Sequence, residues 1–169
     1  MTSDSKKQLT HLDESGNIHM VDVTDRPETV REATARATVR MAPQTAQLIE
    51  TNQVSKGSVL EVAKIAGIMA AKQTPQIIPL CHPLPMTHID IRFALDSKQG
   101  LIEIEARTRT NYKTGVDVEA LTAVTVAALT IYDMCKGVDT TITLEMAYVA
   151  SKSGGKSGTV EFQPNASGV

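Results

Sequence analysis

From Ala33 to Met41 the chain alternates: Ala33, Ala35, Ala37, Val39 and Met41 are apolar, and Glu32, Thr34, Arg36, Thr38 and Arg40 fill the even positions. A period of two is that of a strand with one wet face, although alanine is a weak strand former. Pro43 then sits where it can open a short helix through Ala46, Leu48 and Ile49. At Val59, Val62, Ala63, Ala66, Met69 and Ala70 the spacing changes to three and four, which predicts an amphipathic helix over residues 57–72. Ser58 is its candidate cap, and Pro75 and Pro79 are expected to end it. Two more alternating runs follow, Ile89 to Leu95 and Ile102 to Ala106. The turn chemistry of Asp96-Ser97-Lys98-Gln99-Gly100 between them makes an antiparallel hairpin. Its outward residues Asp90, Arg92, Glu103, Glu105, Arg107 and Arg109 read as cross-strand charge pairs, or as supplying an arginine to a site.

Residues 117–136 carry the clearest helix pattern. Leu121, Val124, Ala128, Ile131 and Cys135 trace one stripe, and Val118, Val126, Ala127 and Leu129 make much of the remaining surface apolar too. A helix apolar nearly all round is buried on several sides, and one sheet covers only one of them, so a second subunit is expected. Ile142, Leu144, Met146, Tyr148 and Ala150 alternate as a last strand. Strand, two helices, hairpin, helix, strand is the order of a split βαβ unit. The expected fold class is therefore α+β, a ferredoxin-like sandwich with an antiparallel sheet and helices packed on one face. The expected organisation is a flexible arm over residues 1–17, a single domain over 18–150 and a Gly/Ser/Lys-rich tail over 151–169.

Composition narrows the partners. With 169 residues, 41% of them hydrophobic, the chain can bury one substantial core. Its net charge of −2, from 17 basic and 19 acidic residues, provides no field for nucleic acid or an anionic membrane. Only 3% of residues are aromatic, which argues against base-stacking platforms. No apolar run is expected to approach the roughly 20 residues of a membrane span, and Met1 to Lys7 lacks a signal peptide's apolar region, so a cytoplasmic protein is expected. Cys81 and Cys135 are expected to be reduced.

Several constellations could carry chemistry. Pro79-Leu80-Cys81-His82-Pro83 reads as a stiff, extended connector, whose adjacent Cys81 and His82 point to opposite sides. That geometry suits neither a Cys-His nucleophile nor a zinc set drawn from Cys81, His82, His88 and Cys135. The connector is better read as a substrate wall, with His82 as the working side chain and Cys81 packed behind it. In the tail, Ser151 to Gly158 offers glycines and the lysines Lys152 and Lys156 to a phosphate. The tail lacks the first glycine of a P-loop and any helix after it, and a flexible tail is the alternative. Asp133 and Lys136, three apart, share a helix face as a surface pair or as groups facing a cavity. Asp117 and Glu119 open the same helix, where acidic residues also serve the dipole. Glu119 and Asp133 are 14 positions apart, ~21 Å along a helix, so either the ligand is long or two subunits build one site. Lys56, just before Gly57, could meet phosphate or solvent.

The chain also resembles a known family through Met20-Val21-Asp22-Val23, Lys56-Gly57, Ile65-Ala66-Gly67-Ile68, Ile78 to Leu84 and Lys113-Thr114-Gly115-Val116. The likeness continues through Glu119 to Ala123, Ala127 to Lys136 and Lys152 to Gly158. It is similar to the cyclic pyranopterin monophosphate synthases, the C proteins of molybdenum cofactor biosynthesis. The resemblance implies a phosphorus-oxygen lyase without cofactor or metal. Such an enzyme converts 3′,8-cyclo-7,8-dihydro-GTP, supplied by an upstream radical GTP cyclase, to cyclic pyranopterin monophosphate and pyrophosphate. It implies a hexamer, a trimer of dimers with interfacial sites. By the same resemblance Asp133, Lys56, Lys136 and Lys152 are the catalytic residues, and Leu80, Cys81, His82, Val118, Glu119, Asp117 and Lys156 contact substrate. Asp117 stands where the family usually has Glu, one methylene longer. A non-catalytic phosphate-binding module is the rival from another class.

Overall fold

The computed structural model describes residues 11–13, 15–155 and 158–164. Its elements run β1 (Thr29–Arg40), α1 (Pro43–Glu50), α2 (Val59–Ile77), β2 (His88–Asp96), β3 (Leu101–Tyr112), α3 (Asp117–Cys135), β4 (Thr143–Ser153) and β5 (Val160–Glu161). The strands form one antiparallel sheet in the order β2-β3-β1-β4-β5, with α2 and α3 packed together on one face. This is the α+β, ferredoxin-like arrangement. Of the expected N-terminal arm, residues 1–10 and 14 lie outside the described residues. The part that is described turns at Gly16, where the Asp13 carboxylate accepts the Ser15 and Asn17 N–H groups, and Leu12 bridges to Ile18.

The alternation in β1 faces Ala33, Ala35, Ala37 and Val39 into the core opposite Ala106, Ile104 and Ile102 of β3. These small side chains let α3 lie close, burying Ala120, Ala123, Val124, Ala127 and Ile131, so burial offsets alanine's poor strand propensity. α2 crosses α3 at Gly67, where an added Cβ would sit 2.5 Å from Ile91 Cδ1 and 2.8 Å from the Ala123 carbonyl oxygen. Only glycine fits that crossing. On the open face, Arg36 and Arg107 both pair with Glu105, Arg40 with Glu145, Arg92 with Asp90 and Arg109 with Glu32. These are charge pairs on a wet face, most of them between strands.

Several sequence expectations need correction. α2 does not stop before Pro75 but runs through it to Ile77, because packing along α3 offsets the hydrogen bond that proline cannot make. Ser58 is its N-cap residue but makes no side-chain cap bond. By length and a mean hydropathy of 1.4, α3 does reach what a membrane span requires, contrary to the expectation that no segment would. Half of that window is buried within this fold. The supposed tail begins inside a strand, since β4 continues to Ser153 and pairs with β5.

β4 also breaks its own alternation twice. Ala35 pairs with Val149 but Thr34 with Ser151, and Ala37 pairs with Ala147 but Val39 with Leu144. Each shift leaves one extra residue in β4 and changes which parity faces the helices. Met146 and Tyr148 therefore line the open face, while Lys152, opposite the buried Ala33, is carried to the helix side.

Candidate active site

α3 has ionisable groups gathered at both ends. At its N-terminus lies a cavity of about 560 Å³ walled by Leu80, Cys81 and His82 from the connector and by Asp117, Val118 and Glu119 from the first turn. Lys152 of β4 closes another side. The second bulge of β4 brings Lys152 Nζ to 2.8 Å from Asp117 Oδ2, and it also lies 5.8 Å from the Phe162 ring centre. Seven of the expected site residues thus share one cavity. Lys156 lies outside the described residues.

The connector is not extended throughout, and the expectation that Cys81 packs behind it is corrected. The Cys81 N–H donates to the Ile78 carbonyl at 3.1 Å, closing a turn, and the turned backbone presents Leu80, Cys81 and His82 to the same cavity. The Cys81 thiol is pushed up by burial and by the carboxylates of Glu119 and Asp117, so it is a poor nucleophile here. His82 is engaged. Its Nε2 lies 2.7 Å from the Val21 carbonyl, an N–H donation that ties the segment from Met20 to Arg26 against the cavity. Lys113 makes a second tie, from Nζ to the Thr24 carbonyl at 2.7 Å.

Glu119 is the most perturbed group in this cavity. It is 3% exposed, and burial, followed by repulsion from Asp117, raises its pKa to about 7 despite a bond from its own backbone N–H. A carboxyl poised near neutrality can give or take a proton.

At the other end of α3, Asp133 meets two lysines. Lys136 Nζ lies 2.7 Å from Asp133 Oδ1. Lys56 Nζ reaches across from the α1–α2 loop to 3.5 Å from Oδ2 and donates to the Asp133 carbonyl at 2.7 Å. All three side chains are about half exposed, so of the two readings open for the pair it is the surface one that the fold gives it. The hydrogen bond and charge of Lys136, then the charge of Lys56, hold the Asp133 carboxyl below its usual range. Asp133 is therefore an ionised carboxylate, and its bond in turn raises the Lys136 ammonium.

The four candidate metal ligands are not brought together. Cys81 and His82 line the cavity, Cys135 is buried at the far end of α3, and His88 lies on the open face of the sheet. Among the described residues, no group of three His, Cys, Asp or Glu side chains could hold an ion. A further concavity of about 510 Å³ lies on that open face, but its Arg36 and Arg92 are already paired with carboxylates.

A comparison with known protein families matches the MoaC family over residues 20–155. The chain belongs to the MoaC family. It is 56% identical over 153 residues to the cyclic pyranopterin monophosphate synthase of Pelotomaculum thermopropionicum, covering 90% of each chain. To the synthase of Thermomicrobium roseum it is 52% identical over 152 residues, 90% of this chain and 92% of that one. To the synthase of Bordetella avium it is 52% identical over 156 residues, 92% and 96% of the two chains.

The MoaC match begins at Met20 and so includes a part of the site that residue-level reasoning did not select. Val21, Val23 and Arg26 line the cavity, and Arg26 adds a cation to it. No local spacing marks them, because they arrive only through the bonds to His82 and Lys113.

Proposed function

We infer that this chain is a cyclic pyranopterin monophosphate synthase, the activity named for its MoaC-family relatives. It takes 3′,8-cyclo-7,8-dihydro-GTP to cyclic pyranopterin monophosphate, an early step of molybdenum cofactor biosynthesis. The observation that carries the site assignment is the pairing of Asp133 with Lys136 and Lys56, which a phosphate-binding module would not need. Asp133, ionised by its lysines, accepts protons as the purine ring opens and the pterin closes, and a lysine ammonium returns them. Lys152 and Lys156 neutralise the triphosphate, and Leu80, Cys81, His82 and Val118 wall the cavity. Glu119 and Asp117 accept donors of the guanine-derived ring. A ribose oxygen attacks the innermost phosphorus, the bridging bond to the second phosphoryl group breaks, and pyrophosphate leaves with the electron pair.

The two clusters belong to opposite ends of one helix, ~21 Å apart, too far to close on one small substrate. A second protomer therefore supplies the missing half, in a trimer of dimers with sites at the subunit boundary. Exposed Val62, Ile65 and Met69 on α2 and Leu129 on α3 support burial by another copy. The substrate comes from a radical GTP cyclase upstream, and the free thiols of Cys81 and Cys135 fit a cytoplasmic setting.

The purified protein incubated with the cyclic GTP derivative is expected to release one pyrophosphate for each pterin formed. Asp133→Asn is expected to keep fold and assembly while losing turnover by at least about a hundredfold. Full turnover in that variant would remove Asp133 from the chemistry.

A further inference from the structure

One buried charge lies outside both clusters. Asp139, in the loop after α3, is 7% exposed, and its two oxygens divide their partners between two parts of the chain. Oδ2 accepts the Ala42 N–H at 2.8 Å and the Thr45 hydroxyl at 3.0 Å, both from the start of α1. Oδ1 accepts the Thr141 N–H at 2.8 Å and the Thr141 hydroxyl at 2.7 Å, both from its own loop. Burial alone would raise this carboxyl, but the bonds from Thr141, Ala42 and Thr45 bring it down to about 2. It is ionised at any pH at which the enzyme works.

α1 needs this charge from outside. Its own N-cap residue is Ala42, which has no side chain able to cap, and its first turn holds no acidic residue. The Asp139 carboxylate serves as both cap and dipole partner from a distance in sequence. Meanwhile the Asp139 N–H donates to the Cys135 carbonyl at 3.1 Å and so closes the end of α3. One residue thus terminates the helix that carries Asp133 and Lys136 and starts the helix that leads to Lys56.

The link from α1 to Lys56 is short and stiff. The Gln53 N–H returns to the Leu48 carbonyl at 2.8 Å, Asn52 takes a positive φ of 53°, and Val54 is buried in the core. Lys56 then crosses to the Asp133 carbonyl. The buried thiol of Cys135 feels both groups, raised by burial first and then by Asp139, and lowered by Lys56. The position of Lys56 over Asp133 is therefore the position of α1 against the end of α3.

We propose that Asp139 is a positioning residue for this reaction, fastening α1 to the end of α3 and thereby setting Lys56 against Asp133. It rests on the assignment of Lys56 and Asp133 to the reacting centre. Displacing a catalytic lysine by a fraction of its reach lowers turnover without changing the cavity at the far end of α3, so kcat falls and KM does not.

The test compares four variants of the full chain, with kcat, KM and thermal midpoint measured on the cyclic GTP derivative. Asp139→Asn turns an amide NH2 against the backbone N–H of either Ala42 or Thr141, and kcat is expected to fall about tenfold with KM within about twofold. Thr45→Val removes only one bond to α1 and is expected to lower kcat about threefold, again at constant KM. Thr141→Val removes a bond to the same carboxylate on the loop side, so its thermal midpoint is expected to fall while kcat stays within about twofold. Wild-type kcat in Asp139→Asn, or equal kcat losses in Thr45→Val and Thr141→Val, overturns the proposal. If Asp139→Asn does not assemble, the contrast between the two threonine variants decides. Lys56→Met serves as the parallel control. If it turns over like wild type, the reacting centre itself is misassigned and the proposal falls with it. If it is inactive while Asp139→Asn is normal, only the role of Asp139 is lost.

Discussion

Glu119 binds its proton more tightly in the folded chain than in the unfolded one, since burial lifts its pKa from 4.5 to about 7. Its contribution to stability is full below pH 4.5 and declines as pH rises to about 7, because the folded state must then ionise a buried group. Allowing for residual solvent screening, the decline is about 2 kcal/mol. Glu119→Gln is therefore expected to flatten the denaturant midpoint between pH 5 and pH 8, which urea unfolding at several pH values would check. An unchanged slope would mean that Glu119 is ionised in the fold. Asp139 behaves in the opposite sense. Its depressed pKa gives stability that is present above pH 3.8 and is lost as pH falls through about 2, so acid unfolding of Asp139→Asn is expected to lack that component. The shared helix face of Asp133 and Lys136 was legible from spacing, whereas the other candidate site residues were marked by the family resemblance. The state of each group was not legible: Asp133 is exposed and ionised by lysines, whereas Glu119, two residues into the same helix, is buried and half protonated near neutrality.

Among the elements, the α2–α3 crossing is the least tolerant contact. Gly67→Ala places a methyl group within 2.8 Å of the Ala123 carbonyl, and backbone cannot rotate aside as a side chain can. A loss of about 1–3 kcal/mol is expected, seen as a lower thermal midpoint. The tilt it forces on α3 should also weaken the Lys152–Asp117 contact at the helix start. Wild-type stability in this variant would show that the helices separate freely. Element type and order, β5 excepted, followed from hydrophobic period, because that period is set by local backbone geometry; two residues in the stretch read as a tail are too few to show a period. The misjudged boundaries have a common cause in tertiary packing. α2 continues through Pro75 because its neighbours hold it, and β4 continues to Ser153 because β1 and β5 pair with it.

At the scale of the whole molecule, two clusters at opposite ends of α3 make a test that single variants cannot. Asp133→Asn and Lys152→Met are each expected to be inactive alone. If each site joins the C-terminal cluster of one protomer to the cavity of another, co-refolding them in equal amounts restores about a quarter of wild-type turnover. Failure to recover activity, with mixed oligomers demonstrated, would confine each site to one protomer.

By itself the sequence determined the α+β class, the order of the elements up to β4, the apolar faces of β1, β2, β3, α2 and α3, and the separation of Glu119 from Asp133, which follow from the regular geometry of strands and helices. The tertiary structure decided the rest. It set the two bulges that turn Lys152 toward Asp117, the turn that faces Cys81 and His82 into one cavity, and the bond that draws Val21 onto His82. It also placed Asp139 between α1 and α3. These contacts join residues far apart in the chain, and the register and packing that create them leave no local period to read.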